Sequence, residues 1–385
     1  MEKRRRKILL ILSSEPQDGG SHPYAMLLAE CLAKNRDRAY ELMAVCQNAF
    51  WRGWCRKNRI SCVNQVFPSL SEMELKFNYL FPHVAQIYNS YLTPMGKALR
   101  REGIDIVFAT RQLVPIPNYS VKIIMPVHDL MHRYERHFPE VAEDFDRRET
   151  AAKCLAAYGE CILVDSRLGK QQFTESYLKR GIGKPRIGVL PFVAPEYIRQ
   201  GEEAYIETPK RYIFYPAQFW QHKNHINLIR AIELLASDIS DIHLILVGSE
   251  KNNLGIIKRY LSEHRLDEHV TIKGFVSDGN MIYLYRHAVA MIMPSYFGPT
   301  NIPPLEAMAL GCPVAVSNKY AMPEQVGDAG LLFDPDSPKE MADCIKKMWL
   351  DEGMRLEMIN KGYKRAAKWT SKEFGDRLEK IINKI

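Results

Sequence analysis

Apolar residues along the chain fall into short unbroken runs, separated by longer stretches in which they recur every three or four positions. "KILLILSS" (7–14) opens the series as a run of the buried-strand type, and "HPYAMLLAECLAK" (22–34) follows with Tyr24, Leu27, Leu28 and Cys31 at helical spacing. "ELMAVCQ", "IDIVFAT" and "VKIIMPVHD" predict further strands, each followed by a more polar or helical stretch. Strands that alternate with helices in this way predict a parallel α/β architecture.

The alternation breaks at "LPFVAPEYIRQGEEAYIETPKRY" (190–212), which has three prolines, four glutamates and no clear period, and reads as a linker. Beyond it "YIFYPA", "IHLILVGS", "VTIKGFV", "VAMIMPS", "PVAVS" and "AGLLF" predict strands of a second α/β domain, with a helix over "NHINLIRAIELLAS". From about 337 the pattern is helical, and its last piece, "SKEFGDRLEKIINKI", is expected to return to the first domain. The predicted division is an amino-terminal Rossmann-like domain over 1–195, joined by about 370–385, and a carboxyl-terminal Rossmann-like domain over 196–369. A chain of 385 residues supports two domains, since single cores stop growing near roughly 250–300 residues. Open parallel sheets bind ligands at the carboxyl ends of their strands, near switch points in strand order. Two in tandem predict a central cleft, with one ligand half held by each domain.

Composition excludes several classes. With 46% apolar and 25% charged residues the chain is neither disordered nor fibrous. No window reaches the ~18 apolar residues of a spanning helix, so membrane contact is expected to be peripheral. The start "MEKRRRKILLILSS" has the basic head of a signal peptide, but its apolar run is short and lacks a small-residue cleavage site, so it reads as a first strand. The eight cysteines are scattered, with no C-x-x-C pair and no histidines at zinc-ligand spacing. A reducing, cytoplasmic setting is the simplest expectation.

Charge is unevenly placed. Residues 1–195 carry 29 Lys+Arg against 20 Asp+Glu, and residues 196–385 carry 24 against 25, so the whole positive excess lies in the first half. That asymmetry points to an anionic partner, whether lipid head groups, a phosphorylated substrate or nucleic acid, or else to a solvated basic surface. "FWRGWCRKNRISC" (50–62) mixes Phe50, Trp51 and Trp54 with Arg52, Arg56, Lys57 and Arg59, a composition suited to an anionic membrane surface. A helix anchored in the core is the other reading. Nucleic acid is not expected, because nothing resembles a known binding module.

Two stretches carry candidate chemistry. In "SYFGPTNIPPLEAMALGCPVAVSN" (295–318), Pro303 and Pro304 fit a helix start and Gly311 its end. Such a helix start offers free N–H groups to phosphate. Glu306, one turn in, either grips a ribose diol or only complements the helix dipole. In "YPAQFWQHKNHINLIRAI" (215–232), Lys223 stands at a helix start, unfavourable for a cation unless an anion lies nearby. A diphosphate resolves the conflict, and a solvated lysine is the alternative.

"PPLEAMALGCPVAVSN", followed by "PEQVGDAGLLFDPDSPKEMADCI" and preceded by "HKNHINLIRAI", "LILVGS" and "VTIKGFV", resembles the retaining glycosyltransferases of family 4, with the GT-B fold, over roughly 211–350. "SSEPQDGGSHPYAMLLAECL" and "PVHDLMH" resemble that family's glycine loop and His-Asp element more loosely. The resemblance implies a nucleotide-sugar donor held by the carboxyl-terminal domain and an acceptor held mainly by the amino-terminal one. It implies that Glu306 holds the ribose and Lys223 the diphosphate, and that Lys273, Gly274, Phe275 and Val276 frame the base. Thr300, Asn301 and Ile302 would offer backbone groups to sugar and phosphates. Gly19 and Gly20 would let substrate approach the backbone, with an ordinary strand-to-helix turn as the alternative. His128 would hydrogen-bond the transferred sugar, with a core histidine paired to Asp129 as the alternative. The catalytic residues so implied are Lys223, His128 and Glu306.

The chain departs from the family's pattern at the donor. The glutamate usual eight residues before the ribose glutamate is Gly298, and the arginine usual five before the lysine is Gln218. Thr300 and Asn301 are expected to take over sugar contacts. The implied reaction is transfer of a hexose, mannose or a related sugar, with retained configuration, to a growing cell-surface polysaccharide or lipid-linked oligosaccharide at the inner face of the cytoplasmic membrane. A nucleotide-sugar epimerase of the same fold and a non-catalytic nucleotide-sugar-binding protein are the alternatives. "DFD" (144–146) reads as a helix face and "DPD" (334–336) as a turn before a capped helix. No metal and no other cofactor is expected.

Overall fold

A computed structural model describes residues 4–16, 19–298 and 301–385, with residues 35 and 37–39 described in backbone only. The chain divides into two compact units, Met1–Pro191 with Ser371–Ile385, and Phe192–Thr370.

The first unit holds strands β1 (Arg6–Leu12), β2 (Tyr40–Cys46), β3 (Ser61–Cys62), β4 (Ile106–Ala109), β5 (Lys122–Pro126), β6 (Cys161–Val164) and β7 (Arg186–Val189). They form one parallel sheet in the order β3-β2-β1-β4-β5-β6-β7. Residues Ile8 to Leu12 are all buried, as a strand covered on both faces requires. The order reverses between β1 and β4, where Ile11 lies opposite Ala109 and the Thr110 hydroxyl donates to Ile11 O at 2.9 Å.

The closing helix Ser371–Asn383 belongs to this unit. Phe374, Leu378 and Ile382 recur every four positions and are buried, each worth about 1.5–3 kcal/mol when removed from water. The Phe374 ring meets Tyr24 edge-on at 5.9 Å, and Arg6 donates to Ile382 O at 3.1 Å.

The 50–62 segment divides between its two readings, with Phe50, Arg52, Arg56, Lys57 and Arg59 exposed and Trp51 in the core. Within the helix Ala49–Lys57, Trp51 is 0% exposed and its indole N–H donates to Ser14 O at 2.7 Å, so that aromatic ring is core. Exposed apolar side chains collect elsewhere, on Leu80 and Phe81, on Val84, Ile87, Tyr88 and Tyr91 of the helix Pro82–Tyr91, and on Leu92. Arg100 stacks on Tyr91, 3.9 Å from the ring centre.

The second unit holds β8 (Ile213–Pro216), β9 (Leu244–Val247), β10 (Val270–Lys273), β11 (Ala290–Met293), β12 (Val314–Ser317) and β13 (Gly330–Phe333), parallel in the order β10-β9-β8-β11-β12-β13. All but β10, which reads Val-Thr-Ile-Lys, are short and mostly apolar, and the order reverses between β8 and β11. The stretch read as a linker is part of this unit. It forms the helix Glu196–Gln200, with Ala194 and Ile198 in the core. No helix among the described residues is long and apolar enough to cross a membrane.

Candidate functional site

In the second unit the candidate residues gather where β8 and β11 end, at the switch point. After β8 the chain makes a short turn over Gln221–Lys223, and Asn224 adopts φ 58° before the helix His225–Ala236. The Asn224 amide anchors this turn by donating to Pro294 O at 3.1 Å and Pro335 O at 2.8 Å. The loop after β11 is fastened to the same turn. Tyr296 N–H donates to His222 O at 2.9 Å, and the His222 ring stacks on Phe297 at 4.0 Å and 14°. The structure therefore brings the Lys223 turn and the loop leading to Asn301 together. Lys223 is half-buried, with its carbonyl accepting from Tyr215 at 3.0 Å. His225 is buried between the Tyr215 and Phe219 rings, which pushes its pKa down to about 3 and keeps it neutral.

The helix Ile302–Leu310 starts with prolines in its first turn and ends at Gly311 with φ 75°. Asn301 precedes it without capping it by its side chain. Gln325 holds the Asn301 backbone, accepting its N–H at 2.9 Å and donating to its carbonyl. The Asn301 side chain is left buried, at 8% residue exposure, with Nδ2 unpartnered among the described residues. Gly298 has φ 133°, a region open to glycine and rarely to other residues. Thr300 lies outside the described residues, and Ile302 is buried.

Glu306 is only 5% exposed. Tyr197 donates to its Oε1 at 2.9 Å and Tyr285 to its Oε2 at 2.7 Å. Burial raises its pKa, and the two tyrosine bonds only partly offset that. The carboxylate is thus neither a solvated partner of the helix dipole nor an open group. Two hydroxyls hold it, and an ionised carboxylate offers about four acceptor positions.

Gln218 is engaged locally, its Oε1 accepting the Trp220 indole N–H at 3.0 Å. Lys273 closes β10 and Gly274, Phe275 and Val276 follow it, with the Phe275 ring 88% exposed. "DPD" is tied to a cation, Lys319 lying 3.5 Å from Asp334 and 4.0 Å from Asp336. Ser337 caps the following helix, accepting Glu340 N–H at 3.2 Å.

In the first unit, Gly19 (φ 64°) and Gly20 lead into the helix Ser21–Ala39, whose start has no side-chain cap. Ser14, at the end of β1, meets His22 Nδ1 at 3.1 Å. His128 follows β5, but its partner is not Asp129. Its Nδ1 lies 3.1 Å from Asp165 Oδ1, beyond β6, and Tyr24 meets the ring edge-on at 4.6 Å. Asp129 instead takes Arg148, with Gln112 donating at 2.9 Å. Burial pushes that carboxyl up, but Arg148 and Gln112 outweigh it and leave it at about 2. Asp165, Gln325, Tyr197 and Tyr285 carry no local sequence signal that marks them as partners of these residues. A hollow of about 630 Å³ in this unit is lined by Arg6, Asp105 and Lys122, at the amino ends of the strands. Parallel sheets bind ligands at the other edge.

Two parallel α/β units, each with polar residues at the strand ends beside its switch point, are Rossmann-like domains of the GT-B type. Residues 195–365 match the family described as "Glycosyl transferases group 1". It is similar to the O-antigen chain mannosyltransferase B of Escherichia coli, with 29% identity over 160 residues, 41% of this chain and 42% of that protein. It thus spans less than half of that relative. It is similar to the O-antigen chain mannosyltransferase RfbU of Salmonella typhimurium (strain LT2), with 23% identity over 73% of this chain and 75% of that one. Its fold is shared with a glycosyltransferase from Rickettsia africae, at a TM-score of 0.71 and 14% identity over 98% of both chains.

Proposed function

We propose that this chain is a retaining, metal-independent hexosyltransferase. It moves mannose or a related hexose from a nucleotide sugar to a lipid-linked oligosaccharide or growing cell-surface polysaccharide. The observation that carries this reading is the Asn301 side chain, buried with its Nδ2 unpartnered among the described residues, at a helix start fastened to the Lys223 turn. An unmade buried hydrogen bond costs about 1–3 kcal/mol, and a helix N-terminus favours anions. A ligand bearing both phosphate charge and hydroxyl acceptors satisfies both. The mannosyltransferase relatives favour mannose as its sugar.

In the proposed reaction the acceptor hydroxyl attacks the anomeric carbon on the face from which the diphosphate leaves. The bond to the phosphate oxygen breaks as the glycosidic bond forms, and that oxygen takes the hydroxyl proton. Lys223 and the helix start neutralise the departing charge. Glu306 receives ribose hydroxyls on the lone pairs its two tyrosines leave over. Phe275 offers its ring to the base. In the amino-terminal unit, the Asp165 bond fixes the His128 tautomer so that Nε2 faces a sugar hydroxyl as acceptor.

The acceptor's lipid fits the apolar face of the helix Pro82–Tyr91, flanked by exposed Lys97, Arg100 and Arg101. That pairing of apolar and cationic side chains suits an anionic membrane surface on the cytoplasmic side.

Thermal melting against a panel of nucleotide sugars tests the donor assignment. A donor at 100 times its Kd stabilises by about 2.7 kcal/mol, and Asn301→Ala should abolish the shift for the preferred sugar. An unchanged shift in Asn301→Ala contradicts the assignment.

A further inference from the structure

The eight cysteines are spread along the sequence, yet three of them meet in the amino-terminal unit. Cys46 ends β2, Cys55 lies on the helix Ala49–Lys57, and Cys62 ends β3. The chain leaves the sheet at Cys46, crosses over through that helix and returns as β3, with Cys62 opposite Ala44. This crossover stacks the three thiols at the outer edge of the sheet. Cys46 Sγ lies 3.5 Å from Cys55 Sγ and 3.7 Å from Cys62 Sγ, and all three sulfurs are within 4.8 Å of one another. Cys55 is buried, Cys46 half-buried and Cys62 exposed, so the triangle is closed on the core side and open on the other. Among the described residues it is the one such group of His, Cys, Asp and Glu.

These separations match a thiolate metal site. Zn–S bonds of ~2.3 Å at tetrahedral angles set sulfur–sulfur edges near ~3.8 Å, which two of the three edges meet to within tenths of an ångström. Sulfur donors without oxygen or nitrogen select a soft or borderline d¹⁰ ion over magnesium or calcium. Three thiolates around Zn²⁺ leave one net negative charge, and Arg52, on the same helix as Cys55, acts electrostatically on Cys46 and Cys62.

We propose that Cys46, Cys55 and Cys62 bind one Zn²⁺ as three thiolates, with solvent or a small exogenous ligand in the fourth position on the Cys62 side. Three Zn–S bonds form as three thiol protons pass to solvent. The site is a staple. It ties the helix Ala49–Lys57 to the sheet edge, and that helix supports the end of β1 through Trp51 Nε1 and the Asn48 amide, both donating to Ser14 O at 2.7 and 3.0 Å. The inference stands independently of the transferase reading.

The test uses the full chain, expressed with zinc supplementation and purified without chelators or a nickel column. Metal is counted by mass spectrometry in wild type, Cys62→Ser, Cys46→Ser and the control Cys344→Ser, a half-buried cysteine outside the group. The expected result is about one zinc per chain in wild type and control, and less than about a tenth of that in the other two variants. A membrane-permeant zinc chelator should lower the wild-type melting temperature and leave that of Cys62→Ser unmoved. Cobalt(II) in place of zinc should give a thiolate charge-transfer absorption in wild type that Cys62→Ser lacks. Wild type without zinc, full zinc in Cys62→Ser, or a disulfide within the group in protein alkylated at lysis would each overturn the proposal.

Discussion

A Cβ placed on Gly298 would lie 2.4 Å from Asn301 Nδ2 and 2.8 Å from its Oδ1. The Asn301 amide occupies the room that a side chain at 298 would need, at the position where the related pattern carries glutamate. Glycine at 298 makes space for the amide at 301. Gly298→Glu should therefore fail to improve donor use. With φ 133° the substitution is strained and should cost about 1–3 kcal/mol, read as a lower melting temperature with a weaker donor-induced shift. Unchanged stability with better turnover would contradict the coupling.

Glu306 predicts a pH dependence of stability. Burial holds its carboxyl above the ordinary carboxylate value, so the folded chain binds that proton more tightly than the unfolded chain does. Its contribution is fully present below the ordinary value and is lost as pH rises through that value toward the raised one. Glu306→Gln should remove this loss, flattening the melting temperature across that window and matching or exceeding wild type at neutral pH, while donor binding falls. Tyr285→Phe should do the reverse, costing about 1.5–3 kcal/mol at neutral pH, the worth of a hydrogen bond to a charged group. An equal cost at acid and neutral pH would count against an ionised Glu306.

The His128–Asp165 contact predicts a separation of binding from turnover. Asp165→Asn leaves the shape but no longer fixes the imidazole tautomer. The expected outcome is a fall in kcat of at least about tenfold, ~1.4 kcal/mol in the barrier, with the donor-induced melting shift retained. Steady-state kinetics beside melting curves check it.

The proposed membrane contact lies on the helix Pro82–Tyr91. Val84→Glu with Ile87→Glu, both at exposed positions, should keep stability within about 0.5 kcal/mol. Flotation with anionic-lipid vesicles should show at least about a tenfold loss of binding. Equal flotation of variant and wild type would place the contact elsewhere.

Much of the fold was legible because parallel strands buried on both faces leave continuous apolar runs. β8, β9 and β11 to β13 read as such, as do β1, β4 and β5, while β2 and β10 carry a polar residue within a mostly apolar stretch. Among the rest, β3 is two exposed residues and β7 is interrupted by Gly188, while β6 is a buried apolar run of the same kind that no flanking signal sets off. At the candidate site, Lys223 and Glu306 were visible because helix starts impose local rules on charge and proline, and Asn301 only through the family resemblance. Their partners were not. Tyr197 reaches Glu306 across 109 positions, from a stretch whose prolines and glutamates mimic a linker. Asp165 reaches His128 from another strand end, where the adjacent Asp129 looked the natural partner. Trp51 could not be placed from the sequence, because the pattern of an interfacial helix and that of a helix docked on a sheet edge are the same until burial is known. The cysteine group was hidden for a like reason, since its spacing is set by a crossover and not by a local motif.

The most direct measurement of the central claim is transfer itself. Purified chain is incubated with a radiolabelled nucleotide-mannose and a lipid extract, beside Lys223→Ala and Glu306→Gln. Label should appear in the lipid phase with the donor's anomeric configuration, reduced in Lys223→Ala by about 10²–10³-fold, as for loss of one preorganised electrostatic contact, and lowered in Glu306→Gln through donor binding. Isomerised nucleotide sugar formed without acceptor, or nucleotide sugar bound and released unchanged with every acceptor lipid, would contradict the claim.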